Sequence, residues 1–228
     1  SYRNPIYWQT TVSEASNILS LGYMVAGKKW DAKDKKMFKN PFAQYVKLET
    51  DFRKTWQVGD HSQLVAHFNG GVIWAYGNST YAPYSEQFYV GGANSIRAFN
   101  VRSIGPGAYF TDKAKISFMD QTGDIKLLAN LEYRPRLFGN LYGAVFLDAG
   151  NIWALKDDGV RENSQFKIKN VLKQTALGTG IGIRYDLDFF VLRLDWGIGL
   201  HVPYKNGLYN MSGFGNSQSI HFAIGYPF

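Results

Sequence analysis

The sequence predicts an all-β protein, an antiparallel β-barrel that crosses a membrane, and three observations carry that reading. Apolar and polar residues alternate with a period of two over one long run after another, the signature of a strand. The chain has 15 Tyr, 16 Phe and 24 Gly among 228 residues, yet no apolar run approaches the ~20 residues of a transmembrane helix. The connections between runs alternate short and long, as in an outer-membrane barrel with tight turns at one end and long loops at the other.

The first strand is expected between Thr10 and Ala26, with Leu19, Leu21, Tyr23 and Val25 as its apolar set. A basic segment follows, where Lys28, Lys29, Lys33, Lys35, Lys36 and Lys39 face only Asp31 and Asp34. Such segments attract nucleic acid or anionic membrane surfaces, or simply solvate a loop. From Ala43 to Val58, Val46, Leu48, Thr50, Phe52, Trp56 and Val58 share one face and Tyr45, Lys47, Glu49, Asp51 and Arg53 the other. From Ser62 to Tyr76, Leu64, Ala66, Phe68, Val72, Trp74 and Tyr76 oppose Gln63, His67, Asn69 and Gly71.

Beyond a long loop, 77–124, the pattern resumes. Ile125, Leu127, Ala129, Leu131 and Tyr133 face away from Lys126, Asn130, Glu132 and Arg134, and Leu141, Val145, Leu147, Ala149 and Trp153 from Tyr142, Phe146 and Asp148. Leu177, Ile181, Ile183, Tyr185 and Leu187 oppose Gly178, Gly180, Gly182, Arg184 and Asp186; the run from Phe190 to Val202 opposes Arg193, Asp195, Gly197, Gly199 and His201. Ile220, Phe222, Ile224, Tyr226 and Phe228 close the last strand. The total is about eight strands, most long enough to cross a bilayer at a tilt, with tight turns near 59–61, 135–139 and 188–189. A soluble sandwich also alternates. The discriminator is an apolar face along the whole span with aromatic borders, here Trp74, Tyr76, Trp153 and Tyr226.

Chemistry concentrates in Phe88–Tyr109, which holds the pair Gly91 and Gly92, the run Ile96, Arg97, Ala98, Phe99, and the turn Gly105, Pro106, Gly107. This is a loop of specified shape that places Arg97. Glu132 and Asp148 point to the interior from consecutive strands joined by a short turn. If the loop folds back inside, a guanidinium between two carboxylates latches it to the wall by charge-assisted hydrogen bonds. The alternative is that all three are wetted interior charges. Cysteine is absent, which excludes disulfides and thiolate metal sites. His201 and His221 can meet across the last hairpin, but two histidines without a third ligand do not make a zinc site. With no catalytic spacing, phosphate cradle or nucleotide fingerprint, neither enzyme activity, metal nor cofactor is expected. The chain opens on Ser without a signal segment and reads as a processed or excised part of something longer.

The stretches GGANSIRAFNVRSIGPGAY, GDIKLLANLEYRP, LYGAVFLDAGNIW, LGTGIGIRYDLDFFVLRLDWGIGLHVP and HFAIGYPF together resemble the C-terminal half of the BamA/TamA outer-membrane assembly superfamily, most of all its TamL-type branch. The resemblance runs from about Thr10 to the end. It implies that residues 1–228 are the last eight strands of a sixteen-stranded barrel in the outer membrane of a Gram-negative bacterium, without its POTRA domains and first eight strands. It implies that Phe88–Tyr109 belongs to the sixth extracellular loop, that Arg97 is the arginine of the family's (V/I)RG(F/Y) motif, and that Glu132 and Asp148 are its wall partners. Ala98 stands where the family has glycine. The ending Ile224, Tyr226, Phe228 looks like the C-terminal signal by which such barrels are recognised for assembly. The partners implied are membrane lipid and lipopolysaccharide, unfolded outer-membrane clients and accessory assembly subunits; nucleic acid is not among them. Other readings are a two-partner secretion pore, the barrel anchor of a patatin-like lipase, and a closed eight-stranded structural or binding barrel.

Overall fold

The computed structural model describes residues 4–37, 40–110 and 121–228. Eight long strands form one antiparallel sheet: β1 (Ile6–Ala15), β4 (Tyr45–Gln57), β5 (Ser62–Ala75), β6 (Ile125–Phe138), β7 (Leu141–Trp153), β8 (Ala176–Asp186), β9 (Val191–His201) and β10 (Gln218–Ile224). They lie in that order, each beside its neighbour in sequence, so the topology is a plain meander. The sheet does not close: β1 and β10 are its two edges. A helix, α1 (Asn17–Val25), and a two-stranded ribbon of β2 (Lys36–Met37) and β3 (Asn40–Pro41) fill the connection between β1 and β4.

The period-two pattern sorts residues between faces as the chemistry demands. His67, Asn69, Asn130, Glu132, Arg134, Asp148, Arg184, Arg193 and Asp195 are all buried on one face. Trp8, Val12, Leu48, Phe68, Leu131, Val145, Ile181, Phe222 and their like are exposed on the other. Charges inside and large apolar side chains outside invert a soluble protein, and only an apolar surrounding medium makes that arrangement favourable. The apolar core lies on the inner face, where Val90, Ile96, Ala98, Phe99 and Ile104 of the 77–124 segment pack on Ile73, Leu128, Ile152, Ala176 and Val202.

Four details differ from the expectation. The first strand is Ile6–Ala15, paired along its whole length with Tyr45–Lys54, and 17–25 is helical. Ile18 and Met24 are apolar as well as the odd-numbered positions, so the alternation there is not exclusive, while Gly27 at φ 89° follows as a helix stop. The β6–β7 turn falls at Gly139 and Asn140, because Pro135 lies within β6 and a register irregularity follows it between Arg136 and Phe138. Trp153 is not at a membrane border: it is fully buried, its Nε1 donating to Gln174 Oε1 at 2.9 Å and its ring meeting Phe166 edge-on. Trp74, by contrast, is 58% exposed. The period-two outer face of the last strand ends at Ile224. Gly225, at φ 88°, turns the chain, and the Phe228 ring stacks on His67 of β5 at 4.9 Å instead of continuing the outer face.

Candidate functional site

The site grows out of a tight loop. Gly91 and Gly92 take φ of 97° and 94°, and a side chain on Gly91 would drive into the Asn100 carbonyl. This permits a narrow hairpin-like closure in which Gly92 N–H donates to Phe99 O at 2.8 Å and Arg102 N–H to Val90 O at 3.0 Å. Ser95 Oγ accepts from Gly91 N–H at 3.1 Å and Ser95 N–H donates back to Gly92 O. Arg97 stands at the tip. Lower in the same segment, Gly107 N–H donates to Ile152 O at 2.7 Å and Asn151 Nδ2 donates to Gly107 O at 2.9 Å. The loop is therefore tied to β7 beside the Gly105, Pro106, Gly107 turn.

Arg97 is fully buried, as are Glu132, Asp148 and Asp195. Its Nε and Nη2 donate to the two oxygens of Asp148, each at 2.9 Å, a bidentate pair, and its backbone N–H donates to Asp148 Oδ2 at 2.9 Å. Nη1 donates to Glu132 Oε2 and lies 3.7 Å from Asp195 Oδ2. The guanidinium is 3.5 Å from the centre of the Phe146 ring, and the Arg97 carbonyl accepts from His221 Nε2 at 2.9 Å. One loop residue thus touches β6, β7, β9 and β10, which requires the sheet to curl around it.

Arg97, Glu132 and Asp148, named from the sequence, come together here. Sequence reasoning missed the rest of the cluster. Glu132 also accepts from Arg134 Nε at 2.7 Å and Arg184 Nη2 at 3.1 Å; Asp195 accepts from Arg184 Nη1 at 2.6 Å and Arg193 Nη1 at 3.0 Å. Arg193 reaches the loop as well, donating to Ala93 O at 2.6 Å. Four guanidiniums share three carboxylates. The available signal was the inner-face count, which put Arg184, Arg193 and Asp195 on the same side as Glu132 without bringing them close. Behind Asp148, Asn130 Nδ2 donates to Asp148 Oδ1 at 2.8 Å, and His67 bridges Asn130 Oδ1 and Asp51 Oδ2, each at 2.8 Å.

Ala98 is buried and does not take a positive φ, so its position makes no conformational demand for glycine. The demand sits on the wall. A Cβ on Gly178 would lie 2.4 Å from Ala98 Cβ, and one on Gly197 would lie 2.3 Å from Arg97 O. The inner faces of β8 and β9 form a glycine shelf on which 97–98 rests. Phe99 is buried beside it in the core. His201 and His221 do not meet: His201 pairs with Leu177 and binds Thr175 O at 3.0 Å, while His221 pairs with Asp195. The hairpin register keeps them apart. Ile224 and Tyr226 are exposed, whereas Phe228 turns inward. Among the described residues no cluster of three or more potential metal ligands occurs.

Residues 38–228 match the Omp85 superfamily domain. The chain belongs to the Omp85 superfamily. The human sorting and assembly machinery component 50 homolog (Homo sapiens) is 32% identical over 114 residues, 47% of this chain and 23% of that protein. The crystal structure of BamA from Haemophilus ducreyi lacking POTRA domains 1–3 superposes with a TM-score of 0.55 at 17% identity, covering 79% of this chain and 34% of the other. The likeness is one of fold. This Omp85 chain therefore spans about a quarter to a third of the length of the proteins it matches, and both the Arg97 loop and its wall lie within the matched domain.

Proposed function

We propose that the chain is the C-terminal part of an outer-membrane barrel of a Gram-negative bacterium that assembles, inserts or translocates other outer-membrane proteins, with the loop 77–124, of which 111–120 lie outside the described residues, entering the barrel interior and latched there by Arg97. The observation that carries the latch is the complete burial of Arg97 with three side-chain N–H bonds and one backbone N–H bond to two wall carboxylates. A guanidinium in that position is held only while the loop is seated, because unseating it leaves buried charges unpaired. Membership of the Omp85 superfamily supports the transport class.

The working surfaces follow from the sheet. Its outer face is apolar and meets lipid; at one edge β10 carries unpaired backbone groups that can template a client strand by β-augmentation, while β1 at the other edge meets the further strands of the barrel. The seated loop keeps the interior filled while an edge is engaged. Unfolded outer-membrane proteins are the clients, and POTRA domains with further strands complete the barrel.

The test is depletion in the native bacterium followed by rescue with the full-length protein, wild type or Arg97→Ala, while the folded levels of other outer-membrane barrels are followed. Client levels should fall on depletion and recover only with Arg97. Unchanged client levels on depletion, together with loss of a single secreted partner, would replace assembly by dedicated secretion.

A further inference from the structure

α1 is built inside out. Its polar residues are turned to the protein and fixed there: Ser20 is fully buried and accepts from Lys35 Nζ, Asn17 Oδ1 accepts from Tyr76 Oη at 2.5 Å and from Gln44 Nε2 at 3.3 Å, and Tyr23 Oη donates to Lys36 O. Lys35 is itself enclosed, donating to Trp30 O at 2.6 Å, and Asn78 donates to Lys35 O at 3.0 Å. The opposite stripe, Ile18, Leu21 and Val25 at helical spacing, is 81%, 50% and 84% exposed, and Met24 beside it is 45% exposed. A helix anchored by its polar side and presenting its apolar side obeys the rule of the barrel's outer face and opposes the rule of a soluble protein.

Its position fits that chemistry. α1 starts two residues after Ala15, which pairs with Tyr45, which in turn pairs with Ala75, so the helix begins at the level where β5 ends with the exposed Trp74. Aromatic residues exposed at strand ends mark the border between hydrocarbon and headgroups. Directly after the helix come Lys28, Lys29, Lys33 and Lys36, all exposed, with Lys28 paired to Asp34 and Lys33 bound to Ser79 O. An apolar stripe at the border with amines beside it is the pattern of an interfacial membrane helix.

We propose that α1 and the lysine segment after it form a lipid-binding element, the Ile18, Leu21, Val25 stripe entering the acyl region and Lys29 and Lys36 meeting the phosphate groups of anionic lipid headgroups. The inference rests on the outer-membrane barrel reading and extends it to a connection that would otherwise be counted as a solvated loop.

These 228 residues hold no cysteine, and with any cysteine elsewhere in the full-length protein replaced by serine a single introduced thiol carries a spin label without background. The full-length protein in nanodiscs of phosphatidylcholine with phosphatidylglycerol is labelled in turn at Ile18→Cys, Leu21→Cys and Val25→Cys, with Leu147→Cys on the barrel's outer face as the internal standard. Accessibility to oxygen is compared with accessibility to a water-soluble nickel chelate. The three helix labels should favour oxygen, and replacing Lys29 and Lys36 by Gln should lower that preference in the anionic discs while leaving it unchanged in phosphatidylcholine alone. Helix labels that favour nickel place α1 in water and overturn the proposal; immobile labels that reach neither reagent show a protein partner and overturn it equally. A Leu147 label that favours nickel would instead overturn the barrel reading, so the two failures are distinguishable.

Discussion

Replacing Arg97 by alanine should unseat the loop, and the structure says which group bears the consequence. Glu132 keeps two partners, Arg134 and Arg184, when Arg97 is lost. Asp148 loses both guanidinium bonds and keeps only Asn130 Nδ2 and the backbone N–H of residue 97. A buried carboxylate stripped of its bidentate partner is the case in which breaking an ion pair costs about 3–5 kcal/mol. With roughly a factor of ten in equilibrium for each 1.4 kcal/mol, the unseated population rises about 10²- to 10⁴-fold. The assay uses Ile96→Cys as the sole thiol, since Ile96 is fully buried beside Arg97 under the seated loop. When opening is fast and reversible, the labelling rate follows the open population, so the Arg97→Ala rate relative to the Ile96→Cys parent reads the effect directly. Asp148→Asn should also accelerate labelling, and the double variant should fall short of the sum of the single effects by more than about 1 kcal/mol, as for groups in contact. An Arg97→Ala protein labelled no faster than its parent, or a strictly additive cycle, refutes the latch.

Two further outcomes follow from the wall and the neighbouring loop. Gly178→Ala should overpack the seat and speed the same labelling, and adding Ala98→Gly should restore the parental rate, because the 2.4 Å clash is between those two methyl positions alone and the next contacts are ordinary at 3.5 and 3.7 Å. Gly197→Ala should not be rescued by Ala98→Gly, since its clash is with the Arg97 carbonyl. In the 154–175 loop, Asp158 accepts from Val160 N–H at 3.0 Å, Arg161 N–H at 2.8 Å and Arg161 Nε at 2.6 Å. Partial burial raises its pKa, but these bonds outweigh that and hold it below the usual carboxylate value. A depressed folded pKa means the stabilisation is present above about pH 4 and is lost as the pH falls through the folded value. Hydrogen-exchange protection of the Val160 and Arg161 amides should therefore persist from neutral pH to about 4 and disappear below it, whereas Asp158→Asn should weaken it at neutral pH; protection indifferent to both changes would show that the turn does not depend on the carboxylate.

The strands were legible because burial on only one face forces a period of two, and a slip of one residue would turn every charge toward lipid. From Leu192 to His201 the alternation is uninterrupted and the faces in the structure are those the residues imply; Tyr45–Gln57 follows the same rule, broken by Lys54 on its apolar face. What escaped the sequence depends on curvature and on loops. Asp195, Arg184 and Arg193 lie on the expected face, but only the curl of the sheet brings β8 and β9 around to the loop that β6 and β7 hold. Trp153 sits at a strand end, where an aromatic residue ordinarily marks a membrane border, yet the long loop beyond it folds back and Gln174 captures its indole N–H. Leu19, Leu21, Tyr23 and Val25 alternate as a strand would, which hides α1; only the bonds made by Ser20 and Asn17 show that the polar side is turned in.

The partners of Arg97 also impose an order of events. They lie 35, 51 and 124 residues further along the chain, on strands that follow the loop in sequence. A loop closed by contacts so distant in sequence cannot gain from them early, because the chain entropy is spent before any bond is formed. In chain order the seat comes after the residue that occupies it. Docking of Arg97 is thus a report on construction: its guanidinium bonds need β6 and β7 in register, and the Asp195 and His221 contacts are added only once β9 and β10 have joined the sheet.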